Sequence, residues 1–224
     1  MSQYKYARLD LSLLTLAAVL YNSWPLGYML NNYTAHNGLM SDLEQTGQPY
    51  YWLFILFDVL TGVCAVAASI LIWLKLRHGV LTKTWTSCII GLTLFGFFTI
   101  AATTVPAHCS VSAALACGTG SNRGLGLDAL FSAIAALGLL ASLASACVLG
   151  VRYRLGSWLI LTARAMLIAW SALGILFCVF ALSNGKAAAA QSTQLLFLVA
   201  YGLALIVIGL NVYTVFKRGL ASSQ

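Results

Sequence analysis

Hydrophobic residues along this chain come in long, nearly unbroken runs, not in alternating or one-faced patterns. Six runs approach or exceed the about 20 mostly apolar residues that a helix needs to cross a bilayer. They span 11–30, 51–74, 84–105, 125–150, 157–182 and 194–216. Helices are expected because a helix satisfies its own backbone hydrogen bonds within lipid. A membrane β-barrel would need short alternating segments, and these runs are long and uniformly apolar. Pro25 and Pro106 fall near run ends, where the missing N–H of proline costs least. The expected fold is an all-α membrane protein, a six-transmembrane-helix bundle forming a single transmembrane domain over 1–224. No sequence repeat relates the two halves, which argues against an inverted-repeat transporter.

Composition strengthens this picture. Of 224 residues 61% are hydrophobic and 8% charged, with a mean hydropathy of +0.90. A soluble domain carries about 25% charged residues, so this chain's solvent is lipid. Lys5 and Arg8 precede the first run as they would in a signal peptide, but the run continues through Trp24 and Leu26 to Leu30 without a small-residue cleavage site. A retained first helix is expected.

Charge then sets the orientation. Lys5, Arg8, Lys75, Arg77, Lys83, Arg152, Arg154, Lys217 and Arg218 flank the runs on one side, against Arg123 and Lys186 on the other. The positive-inside rule places both termini and the second and fourth loops in the cytoplasm, in a multi-pass protein of the plasma membrane. Trp73, Trp85 and Trp158 mark the inner interface; Trp24, Tyr50, Tyr51 and Trp52 mark the outer one. The formal charge of +7 is thus accounted for by topology. No basic stripe interleaved with aromatics points to nucleic acid.

Two outer loops, 31–49 and 106–124, are long enough to carry function. The second holds Cys109 and Cys117, with seven residues between them on the oxidising side, where a disulfide is expected; two free thiols are the alternative. Cys64, Cys88, Cys147 and Cys178 fall within helices as small packing residues. Gly138, Ser142, Ala146 and Gly150 recur every four residues and let helix backbones approach closely. Packing within the chain is the plain reading of that face; self-association through helix 125–150 is the other.

Candidate chemistry is sparse. Only five acidic residues are present, and Asp42, Glu44, Asp58 and Asp128 all lie toward the outer side with His36 and His108. A charge inside a membrane usually faces a bundle interior or a wet cavity. Asp58, two turns inside the second run, either accepts hydrogen bonds from neighbouring helices or pairs with Arg123, or else lines an outward polar site with Asp42, His108 and Asp128. Asp128 has a plainer explanation too, since an acid in the first turn of a helix complements its macrodipole. Carboxylates with a histidine suit zinc or manganese, yet no His-x-x-His or His-Glu-x-x-His spacing fixes a metal, and no cofactor is implied. No Gly-x-Ser-x-Gly elbow or phosphate loop supports a triad hydrolase or a nucleotide-driven enzyme. On the inner side, Arg164 either snorkels to the interface, forms an ion pair with Asp10, or meets a lipid phosphate.

The segment Ser41-Asp42-Leu43-Glu44-Gln45-Thr46-Gly47-Gln48-Pro49-Tyr50, followed by Trp52-Leu53-Phe54 and Asp58-Val59-Leu60-Thr61-Gly62, resembles domain-of-unknown-function family 998. These are six-helix membrane proteins common in bacteria. The resemblance implies the same helix layout, an acid at Asp42 in place of the family's glutamate, and direct matches at Asp58, Cys109 and Cys117. His108 stands where the family has an aspartate, and Leu125 and Asp128 stand where it often has a His-x-x-His pair. No activity is attached to the family.

The expected function is accordingly non-enzymatic: an integral membrane protein, surrounded by the lipid bilayer, whose outer polar pocket binds or senses a lipid or small cation. The alternatives are a metal-dependent hydrolase acting on a lipid at the outer leaflet and a transporter of a small solute or lipid.

Overall fold

A computed structural model describes residues 2–31, 43–44, 48–77, 82–105, 122–181 and 187–221. The described residues form α1 (Ser2–Tyr21), α2 (Pro25–Asn31), α3 (Tyr51–Leu76), α4 (Lys83–Thr103), α5 (Asn122–Arg152), α6 (Ser157–Ala181) and α7 (Ala187–Ala221), and no strand appears among them. Five of the helices contain stretches long and apolar enough to cross a membrane: Tyr51–Leu76, Lys83–Thr103, Leu127–Arg152, Ser157–Phe180 and Ser192–Arg218. The chain is therefore a multi-pass, all-helical membrane protein.

The first predicted span differs from the rest. It is two helices, α1 and α2, separated at Asn22, Ser23 and Trp24. Pro25 explains the break, because a proline offers no N–H to the preceding turn and biases the residue before it away from helix. Asn22 assists by turning its side-chain amide back to the Ala18 carbonyl at 2.9 Å.

The long helices form a ring. α1 packs on α3 and α7, α4 on α3 and α5, and α6 on α5 and α7, with α5 and α7 also touching across the ring. Lipid removes the hydrophobic drive between helices, so close backbone approach has to supply contact. Glycine provides it. A Cβ on Gly96 would sit 2.5 Å from the Gly62 carbonyl, and one on Gly138 2.7 Å from the Gly91 carbonyl. Ser142 adds a cross-helix bond to the Cys88 carbonyl at 3.0 Å. Further along the same face, Gly150 approaches Asn211 of α7. The small-residue face of α5 is thus filled by α4 and α7 of the same chain, while Leu130, Leu137 and Val148 point outward.

Packing gathers the basic residues at one end. Lys75 of α3 pairs with Asp10 of α1 and lies over the Phe216 ring at 5.2 Å. Trp85 stacks on Phe216 at 5.6 Å and donates to the Tyr153 hydroxyl at 3.3 Å. α5 ends there in a left-handed Arg154 with the Leu155 amide bonded to the Gly150 carbonyl, and the Arg154 carbonyl accepts from Arg218. This is a helix stop in which orphan carbonyls find donors. Asp58 lies 17 residues from Lys75 along α3, roughly 25 Å at 1.5 Å per residue. The bundle therefore has a basic end and an acidic end.

Candidate functional site

The acidic end is organised by one leucine. In the polar stretch 41–48, Leu43 is the single apolar side chain, and it is almost fully buried against Phe54 of α3, with Trp24, Leu26, Leu195 and Leu198 around it. Its Cδ1 lies so close to Gly27 of α2 that a Cβ there would come within 2.6 Å. Residues 43–44 make a single tight helical turn, so anchoring Leu43 fixes Glu44. Tyr50, at a left-handed φ of 59°, then turns the chain into α3.

Glu44 meets Asp58, the eighth residue of α3, and their carboxyls are hydrogen-bonded. An ionised carboxylate only accepts, so one partner carries the proton. Glu44 is that partner. Packing around its carboxyl, then the charge and hydrogen bond of Asp58, then the charge of Asp128, hold it well above the ordinary value of 4.5. Asp128 acts on Glu44 and Asp58 through its charge. Tyr21, the last residue of α1, lies in the field of all three acids. It packs edge-on to Phe95 at 5.8 Å and against Tyr201 at 5.1 Å. Trp170 and Phe197 continue this aromatic layer. Nearby hydroxyls are turned to backbone, Thr61 to the Ala17 carbonyl and Thr99 to the Phe95 carbonyl. Toward the basic end, Leu14, Ala65, Ala68 and Leu139 are fully buried and apolar.

Of the residues expected at this site, Asp58 lies in the field of Asp128, while Asp42 and His108 lie outside the described residues. The acid that reaches Asp58 among the described residues is Glu44, which the sequence placed in the loop but not in the pocket. Tyr21 was also missed; it lies in the middle of the run 11–30, where an aromatic residue is ordinary. Asp128 needs a new explanation. α5 begins at Asn122, which puts Asp128 in the second turn, beyond the reach expected of a first-turn dipole partner. Among the described residues no group of three His, Cys, Asp or Glu side chains is placed to hold a metal ion.

The inner expectation is corrected. Asp10 pairs with Lys75, not Arg164. The ring order gives the reason: α1 is flanked by α3 and α7, whereas α6 sits beside α5 and α7. Arg164 is exposed on α6, with its field reaching Cys147. Cys64, Cys88 and Cys147 are buried free thiols, as packing residues should be, but Cys178 of α6 is exposed. Cys109 and Cys117 lie outside the described residues.

Compared with known proteins, the chain matches no family model, no curated protein and no solved structure at a significant level. The resemblance to family 998 therefore rests on the quoted residues alone.

Proposed function

We propose that this chain binds a small cation in a carboxyl pocket on the outer side of the plasma membrane. In this reading α1 and α2 together make a sixth crossing, and both termini are cytoplasmic. The separation of basic and acidic ends supports that orientation, because Lys and Arg concentrate on the cytoplasmic side of membrane proteins.

One observation carries the functional reading. Glu44 and Asp58 share a proton, the charge of Asp128 acts on both, and among the described residues every charge acting on the two is negative. Such a group is electrically incomplete once the shared proton leaves. Two carboxylates at close quarters repel, and a cation that replaces the proton removes that repulsion. The aromatic layer of Tyr21, Phe95 and Tyr201 favours binding over a continuous path through the bundle. A lipid hydrolase would need a further ligand such as His108. The resemblance to family 998, carried by Asp58 and its neighbours, is in keeping with a site at this position.

The test is thermal unfolding of the purified protein in detergent at about pH 8, above the ordinary glutamate range. Chloride salts of choline, sodium, potassium and calcium are compared at equal ionic strength. One of the small cations is expected to raise Tm over choline. A site at 100 times its Kd would contribute about 2.7 kcal/mol. Equal Tm in all four salts rejects the reading.

A further inference from the structure

On the outside of the bundle a groove of about 630 Å³ runs between α4 and α5. Its floor is built by Gly91 and Gly138, whose missing side chains bring the two backbones together. Its walls are Ile90 and Leu94 on α4, with Ile134 and Leu137 on α5. One end is polar. Lys83 and Ser87 lie there, both exposed, and Lys83 makes no ion pair among the described residues.

The same end is the start of α4. Thr82 precedes it in an extended conformation and gives no side-chain cap, so the first-turn amides of α4 have no side-chain acceptor from the cap position. Helix N-termini attract anions because these N–H groups and the macrodipole point the same way. Lys83 adds a full positive charge at that point. From Lys83 to Leu94 the groove covers roughly 16 Å at 1.5 Å per residue. That is about half of a hydrocarbon core ~30 Å thick, the depth of one leaflet.

We propose that this groove holds one anionic phospholipid from the leaflet on Lys83's side. An acyl chain lies along the Gly91–Gly138 floor, and the phosphate meets Lys83, Ser87 and the start of α4. The match is in both charge and length. The lipid-facing positions of α6, by contrast, carry bulky outward side chains such as Leu161, Ile168 and Ile175.

Native mass spectrometry of the full chain, released from detergent with equimolar phosphatidylglycerol and phosphatidylcholine of identical acyl chains, reads the site directly. One phosphatidylglycerol per protein is expected to persist, several-fold over phosphatidylcholine. Lys83→Gln should erase the headgroup preference, and Ala141→Phe, at a position of α5 that lines the groove, should fill it and erase retention of both lipids. Equal retention of the two lipids by the wild type, or an unchanged preference in Lys83→Gln, overturns the proposal. Should Ala141→Phe fail to fold, phosphatidylglycerol with a diazirine-bearing acyl chain decides on the wild type. Crosslinks confined to peptides of α4 and α5 support the groove, and crosslinks spread over α6 and α7 reject it.

Discussion

The carboxyl of Glu44 donates a hydrogen bond to the carboxylate of Asp58, tying a loop turn to the second turn of a membrane helix. The bond exists only while Glu44 holds its proton. In the folded protein that proton is held well above the ordinary value of 4.5, chiefly by packing and then by Asp58. The unfolded chain releases it near the ordinary value. Stability from Glu44 is therefore complete below about pH 4.5 and declines as pH rises through the folded pKa. In cation-free buffer, the Tm of the wild type should fall as pH is raised above about 4.5. Glu44→Gln keeps an N–H donor to Asp58 with no proton to lose, so its Tm should fall less steeply over the same range. Parallel curves for the two proteins would assign the pH dependence to other groups.

Asp58→Asn separates charge from hydrogen bonding. The amide oxygen still accepts from Glu44, so the variant should fold and elute as the wild type does. Its loss is the negative charge, and the cation-dependent rise in Tm at about pH 8 should disappear. Asp58→Leu, in contrast, strands the Glu44 hydroxyl without an acceptor, which costs about 1–3 kcal/mol. An Asp58→Asn variant that keeps the full cation response would place the binding site elsewhere.

Much of the fold was legible because lipid leaves few ways to satisfy a backbone. Long apolar runs had to be helices, and the runs 51–74, 84–105, 125–150, 157–182 and 194–216 match α3 to α7 in order. The break at Asn22–Trp24 was half visible in Pro25, but hydropathy averages across three residues and so does not register a stop. Neighbour relations were not legible. Asp10 and Arg164 sit at similar depth, yet a ring of helices can place α6 anywhere around α1, and depth says nothing of azimuth. The candidate site shows the same limit. Asp58 declared itself as a charge in an apolar run. Glu44 did not, because in a polar loop an acid is ordinary; only Leu43, an isolated apolar residue in that stretch, signalled that the loop dips into the bundle.

Leu43 can be tested as that anchor. A buried Leu→Ala change costs about 2–5 kcal/mol when the cavity does not collapse. In Leu43→Ala the loss should be concentrated at the acidic end. Limited proteolysis of the first loop should accelerate, while the Asp10–Lys75 end keeps its protection in amide exchange. The pH dependence described for Glu44 should also weaken, because the turn that presents its carboxyl is no longer pinned. Uniform loss of protection along α3 would mean that Leu43 supports the whole bundle and not the turn.

Gly138 offers a sharper packing test than any large core residue. A Cβ there would lie 2.7 Å from the Gly91 carbonyl and 2.9 Å from the Phe95 amide nitrogen, both backbone atoms that no rotamer change relieves. Even Gly138→Ala should force α4 and α5 apart, and overpacking of this kind costs typically about 1–3 kcal/mol. Because Ser142 bonds to the Cys88 carbonyl across the same seam, separation should also strand that hydroxyl's cross-helix contact. A Gly138→Ala protein with unchanged Tm would show that the seam tolerates a wider spacing.

The Asp10–Lys75 pair tests how a charge is kept at the basic end. Asp10 is fully buried and Lys75 is 16% exposed, with its ammonium also over the Phe216 ring. Among the described residues Asp10 Oδ1 has no hydrogen-bond partner, so Lys75 is the main compensation for the carboxylate. Lys75→Met should leave a buried charge alone, at a cost of about 3–5 kcal/mol. Asp10→Asn should be milder, since the long stem of Lys75 can carry its ammonium toward water. Replacing both partners with apolar side chains, Asp10→Leu with Lys75→Met, should recover most of the loss, because removing a buried pair outright is often nearly neutral. The measurement is a double-mutant cycle in Tm with the protein held in one detergent. If Lys75→Met proves no worse than Asp10→Asn, Asp10 has another source of compensation and the pair is not what holds α1 against α3.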